Sequence, residues 1–153
     1  MTAAPQRQRN GGAPPWVNRI VRALLCSPLH PLLSGNTLLL TITGRKTGKR
    51  YTIPVSYIQD GDMLTCYTAS AWWKNLRGGA PATVVLRGKE RSGHAEVITD
   101  DPQRIAQALT SLFRRVPRDA RFSGVRLHHS GQPNPADVAR AARFLVIVCI
   151  RLQ

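Results

Sequence analysis

Hydrophobic and polar positions change period several times along the chain. From Trp16 to Cys26 the apolar residues Trp16, Val17, Ile20, Val21, Leu24 and Leu25 recur at helical spacing with Asn18, Arg19 and Arg22 between them. That spacing predicts an amphipathic helix, led in by Pro14-Pro15 and stopped at Ser27-Pro28. Residues 1–13 before it are polar and Gly/Pro-bearing and read as a disordered basic tail. From Leu38 the pattern turns to short β-rich runs: Leu38–Thr43, Arg50–Ile58, Met63–Thr68, Thr83–Leu86 and Gly93–Ile98, separated by glycine-containing breaks. Within the second run Tyr51, Ile53, Val55 and Tyr57 alternate with Thr52, Pro54 and Ser56, so one face is buried; Pro54, which cannot donate to a ladder, puts this strand at an edge or a bulge. Asp60-Gly61 and Arg87-Gly88-Lys89 are hairpin turns, which makes the pairing antiparallel.

The helical period returns at Asp101-Pro102, where Ile105, Ala106, Leu109, Leu112 and Phe113 mark a buried face, and again after Asn134-Pro135, which caps a short helix through Ala142. Val116–Gln132 between them is irregular and arginine-bearing, either a solvated connection or a rim over a site. Phe144–Ile150 is an unbroken apolar run suited to a strand at the centre of a closed sheet. With no repeat and no linker, residues 14–153 read as one domain of the mainly β with helices (α+β) class. The expected architecture is a six-stranded antiparallel barrel with an N-terminal helix and two further helices.

Composition narrows the partner. The 153 residues are 42% hydrophobic and 20% charged, which excludes a disordered polymer. The net charge is +14, no acidic residue precedes Asp60, and 18 of the 22 basic residues are arginine, the planar group that meets phosphate and carboxylate bidentately. A nucleic acid, an anionic membrane or a phosphorylated small molecule would answer that charge. Cys26, Cys66 and Cys149 are widely spaced among apolar neighbours and read as reduced core thiols; the four histidines show no ligand spacing, so no metal site is expected. The longest apolar run has seven residues against the about 20 that a spanning helix needs, and no signal peptide is recognised, so a cytoplasmic protein is expected.

Two segments carry candidate chemistry. Gly44-Arg45-Lys46-Thr47-Gly48-Lys49-Arg50 places four cations around a turn whose glycines let backbone N–H groups converge on an anion. It is one residue short of a Walker loop and a strand follows it. Read alone, such a turn is a solvated loop or a phosphate site. Ala69-Ser70-Ala71-Trp72-Trp73-Lys74-Asn75-Leu76 sets two adjacent indoles about 100° apart if helical, so one can pack inward while the other lines a cleft. Core packing of both is the competing reading.

Taken together, Leu38–Leu76 resembles the deazaflavin-dependent nitroreductase and quinone-reductase family, most strongly over residues 38–88. The resemblance rests on the Gly-Arg-Lys-Thr-Gly turn, Pro54 ten residues after Gly44, and Trp72-Trp73-Lys74-Asn75-Leu76. It implies a split β-barrel related to flavin-mononucleotide (FMN)-binding oxidoreductases. It also implies that Arg45, Lys46, Thr47 and Gly48, with Arg50 beside them, hold the anionic tail of coenzyme F420. Trp72, Trp73, Asn75, Ala69 and Ser70 would form the ring pocket, walled by Thr52 and Pro54. Reduced deazaflavin would pass hydride to a quinone or nitroaromatic, with Ser70, Tyr67 or solvent supplying the proton. Two departures stand out: Tyr51 occupies a position where many relatives carry arginine, and Ser70-Ala71 replaces a longer Gly-rich loop. FMN or a tetrapyrrole on the same fold is the nearest alternative, and a single-stranded nucleic-acid module the remoter one. No recognised nucleic-acid motif is present, the chain is expected to be a monomer or homodimer, and peripheral membrane contact through Trp16–Cys26 is compatible with the first reading.

Overall fold

A computed structural model describes residues 36–153. The tail over residues 1–13 and the helix expected from Trp16 to Cys26 lie outside them. In chain order the elements are β1 (Thr37–Thr43), β2 (Arg50–Asp60), β3 (Met63–Thr68), a 3-10 helix (Ala71–Leu76), β4 (Ala80–Leu86), β5 (Lys89–Ile98), α1 (Pro102–Arg115), α2 (Pro117–Phe122), α3 (Pro135–Ala141) and β6 (Val146–Leu152).

The strands close into an antiparallel barrel in the order β1-β2-β3-β6-β5-β4, with β1 pairing both β2 and β4. Period-two alternation explains why one sequence serves two cores. Inward-facing Leu38, Leu40, Ile42, Tyr57, Leu64, Cys66, Val84, Val148 and Ile150 fill the barrel. On the outside, Ile58 and Ile147 meet Ile105, Leu109, Leu112 and Phe113 of α1, a second core that fastens the helices over β2, β3 and β6. The helices start as the sequence predicts: Asp101 Oδ1 accepts the Arg104 N–H at 3.1 Å, Asn134 Oδ1 accepts the Asp137 N–H at 3.1 Å, and a proline follows each cap.

Four expectations change. β4 begins at Ala80 and includes Pro81, tolerated because β1 pairs with β4 only over Thr83–Val85 and no other described strand pairs along the proline's other side. β5 begins at Lys89, four residues before the predicted start, because the Arg87-Gly88 turn lets the ladder begin at the Leu86–Lys89 pair. Val116–Gln132 is not irregular throughout, since α2 occupies Pro117–Phe122 with Ala120 buried. Phe144 is outside the last strand: its N–H and that of Leu145 both bond to the Ala141 carbonyl at 3.0 Å, extending the end of α3, and its side chain is 70% exposed.

Candidate functional site

The β1–β2 turn is tightly made. The Gly44 N–H donates to Lys49 O at 2.7 Å and the Gly48 N–H to Gly44 O at 2.9 Å, with Gly48 at φ +67°. A Cβ on Gly44 would stand 2.9 Å from Tyr51 Cε2, so glycine is what lets the Tyr51 ring lie against the turn. Opposite stands the 3-10 helix, anchored by buried Leu76 and by Trp72 and Trp73 packing on the barrel core. The Arg77 guanidinium stacks on Trp73, 5.0 Å from the ring centroid. Asn75 joins the two segments: its Oδ1 accepts the Arg45 N–H at 3.1 Å and its Nδ2 donates to the Trp72 carbonyl at 2.9 Å.

Between turn and helix lies a cleft of about 690 Å³. Gly44, Arg45, Lys46 and Thr47 form one wall, Trp72, Lys74, Asn75 and Arg77 the other, with Tyr51 between them. Four cations and no carboxylate line it, so it favours a bound anion. A second feature adjoins it. β2 pairs with β1 over Arg50–Ser56 but with β3 only over Tyr57–Asp60, which leaves the other edge of Arg50–Ser56 without a strand partner among the described residues. Pro54 falls in that stretch, as its missing N–H predicts. Facing the end of β3, the Ser70 N–H donates to the Thr68 Oγ1 at 3.0 Å, and Ser70 is the exposed residue preceding the 3-10 helix.

The structure thus gathers Arg45, Lys46, Thr47, Trp72 and Asn75 on one cleft, with Gly48 shaping its turn. It does not bring Arg50, Thr52 or Pro54 there. Strand alternation turns Tyr51 toward the cleft, while Arg50 lines a separate groove on the outer β1–β4–β5 face and Thr52 Oγ1 lies 3.0 Å from Thr41 Oγ1. Trp73 packs on the core and on Arg77 without lining the cleft. Lys74, Arg77 and Tyr51 were not among the expected ligand residues; Lys74 and Arg77 are three apart, and the three-residue repeat of a 3-10 helix sets them on one side.

At the end of β3 a third feature opens, an apolar groove of about 310 Å³ bounded by Tyr67 and Ala69 on the barrel, Phe122 and Ser123 at the end of α2, and Phe144 and Leu145 before β6. The Tyr67 ring meets Phe113 edge-on, with centroids 5.6 Å apart. Burial first, and then the neighbouring Asp119 carboxylate, push the Tyr67 phenol up to about 12, so it stays protonated at neutral pH. The polypeptide around the groove is tied down by buried Asp137, which accepts the Arg126 N–H at 3.0 Å, Arg126 Nε at 2.8 Å and Arg140 Nη2 at 2.6 Å.

Comparison with known proteins bears on the fold and the family. The fold resembles that of an FMN-binding, pyridoxamine 5'-phosphate oxidase-related protein from Nostoc punctiforme, with 16% identity over 91% of this chain and 81% of that one at a TM-score of 0.52. A conserved hypothetical protein from Mycobacterium tuberculosis superposes at a TM-score of 0.53, with 16% identity over 83% of this chain and 81% of the other. A protein of unknown function from Agrobacterium tumefaciens gives 0.55 and 17% identity over 97% of this chain, which spans 59% of that protein. These likenesses define the fold, a split barrel that an FMN-binding protein shares. No curated protein matches the chain. The family model for F420H2-dependent quinone reductase matches residues 17–113, and the chain belongs to that family, an F420-dependent oxidoreductase.

Proposed function

We propose that the protein transfers hydride from reduced F420 to a quinone, nitroaromatic or similar electrophilic acceptor, with the cofactor's tail held between the β1–β2 turn and the 3-10 helix. The observation that carries this reading is the pair of Asn75 bonds, which makes turn and helix one unit around a cation-lined cleft. The residues fit the group. The F420 tail carries a phosphodiester and several glutamates, and Arg45, Lys46, Lys74 and Arg77 supply an extended set of cations where the single terminal phosphate of FMN needs fewer. Trp72 offers a face for a flat ring, and the edge of β2 that pairs with no described strand offers backbone N–H and C=O groups to its polar rim.

When bound, F420H2 supplies the hydride, so the chain's tasks are to bind, orient and exclude water. The groove beside Ala69 suits a flat apolar acceptor, with Phe122 and Phe144 at its sides. The proton for a reduced acceptor comes from Tyr67 Oη, the exposed Ser70 hydroxyl or solvent, and a phenol pushed up to about 12 is a weak donor among them. A fluorescence titration of F420 tests the reading: Lys46→Ala and Trp72→Ala should each weaken affinity about tenfold, as removal of a contact to a charged or stacked group does. Reoxidation of F420H2 by menadione should be faster with protein than without. Absence of F420 binding, or a protein that purifies yellow with FMN, would sink it.

A further inference from the structure

We propose that the protein docks on anionic membranes through the lips of the Tyr67 groove, where Arg121-Phe122 and Arg143-Phe144 form one basic-aromatic patch. Phe122 is 82% exposed and Phe144 70%. They come from different elements, yet both bound the same apolar groove of about 310 Å³. Single exposed apolar side chains are ordinary; two aromatic rings flanking one groove mark a surface built to be covered.

Charge identifies the cover. Residues 116–145 contain five arginines and two aspartates. Both aspartates are buried: Asp119 lies beside Arg118, and Asp137 is held by Arg126 and Arg140. These pairs are spent on Arg118, Arg126 and Arg140, and five arginines less two aspartates leave the region at +3. Arg121 and Arg143 are exposed and have no carboxylate partner among the described residues. A second copy of the chain would set these arginines against one another across a two-fold axis. An anionic bilayer answers both halves of the patch at once, taking the phenyl rings into the interface and the guanidinium groups onto the headgroups. The benefit to catalysis rests on the reading of this groove as the acceptor site: an apolar quinone dissolved in the bilayer would reach Tyr67 between the two rings without crossing water.

The test is cosedimentation of the full chain with vesicles of phosphatidylcholine alone and of phosphatidylcholine with phosphatidylglycerol. The wild type should bind the second and not the first. Arg121→Gln with Arg143→Gln should lower the partition constant about 30-fold, roughly fivefold for each charge near the surface. Phe122→Ser with Phe144→Ser should lower it about tenfold or more. Phe144→Trp should blue-shift in emission when anionic vesicles are added. F420 affinity in solution should be unchanged in all of them, which separates this proposal from the cofactor assignment, and the arginine pair should retain turnover of a water-soluble quinone while losing that of a bilayer-embedded one. Vesicle binding equal to wild type in both pairs would overturn the proposal, because the contact would then lie elsewhere in the chain. So would a wild type that ignores anionic vesicles, or a phenylalanine pair that only converts a dimer to a monomer.

Discussion

Asn75 gives the sharpest test of whether the turn and the 3-10 helix act as one site. Asn75→Ala removes two bonds, one at 3.1 Å to the solvent-exposed Arg45 N–H and one at 2.9 Å to the half-buried Trp72 carbonyl. A net contribution of 0.5–1.5 kcal/mol per bond, toward the low end where water can replace the partner, gives a loss of about 1.5 kcal/mol in stability. Because Arg45 and Lys46 are then no longer fixed against the opposite wall, F420 affinity should also fall about tenfold, the equivalent of about 1.4 kcal/mol. Asn75→Asp separates the two effects. It keeps an acceptor for the Arg45 N–H and loses only the bond to Trp72, so its stability should lie between those of wild type and Asn75→Ala. Yet it places a carboxylate among four cations where an anionic tail is to sit, so its F420 affinity should be the lowest of the three. Urea unfolding and F420 fluorescence titration on the same preparations would show the two orders crossing. An aspartate variant that binds F420 as tightly as wild type would refute the cleft as the tail site.

Other expectations follow from single residues. Hydrogen bonds from Arg126 hold the Asp137 carboxyl well below the usual carboxylate range, so its contribution is present above about pH 4 and is lost as pH falls through that range. Thermal melts should therefore show Asp137→Asn less stable than wild type at neutral pH, with the gap closing in acid; a gap independent of pH refutes this. Arg87 is the only described non-glycine residue with positive φ, at 50°, and precedes Gly88 in a two-residue hairpin turn, so Arg87→Asn should raise the urea midpoint by about 0.5 kcal/mol of stability. An alkaline absorbance titration should lose a phenol ionising at about 12 in Tyr67→Phe, and that variant should reduce quinones more slowly while keeping its F420 affinity.

The sequence carried the fold where the signals were local. Asp101-Pro102 and Asn134-Pro135 announce helix starts because the cap and the proline act within one turn, and Met63–Thr68 is legible to the residue because Asp60-Gly61 fixes the hairpin before it. What stayed hidden was set by partners distant in sequence. Pro81 looks like a strand breaker until the ladder shows that β1 does not reach it. α2 is too short to be foreseen from propensity, and it stands because Ala120 is buried against the second core. An unbroken apolar run such as Phe144–Ile150 contains no phase, so nothing in it says that α3 will consume its first two residues and leave Phe144 outside.

The same limit applied to the candidate site. Alternation along β2 is readable, but which parity faces the cleft depends on where the 3-10 helix lies, and that placement gives the position to Tyr51 over Arg50 and Thr52. Charge behaves likewise. The +14 is a property of the chain, whereas its effect depends on which carboxylates folding buries. Asp119 and Asp137 go inside as partners of Arg118, Arg126 and Arg140, so the positive charge at the rim of the Tyr67 groove rests on Arg121 and Arg143, which no count along the sequence singles out. Two cationic surfaces therefore lie at different distances from solvent chemistry: a walled cleft whose four cations can be matched by one anionic tail, and an open rim whose arginines flank aromatic rings and call for an extended, anionic and apolar partner.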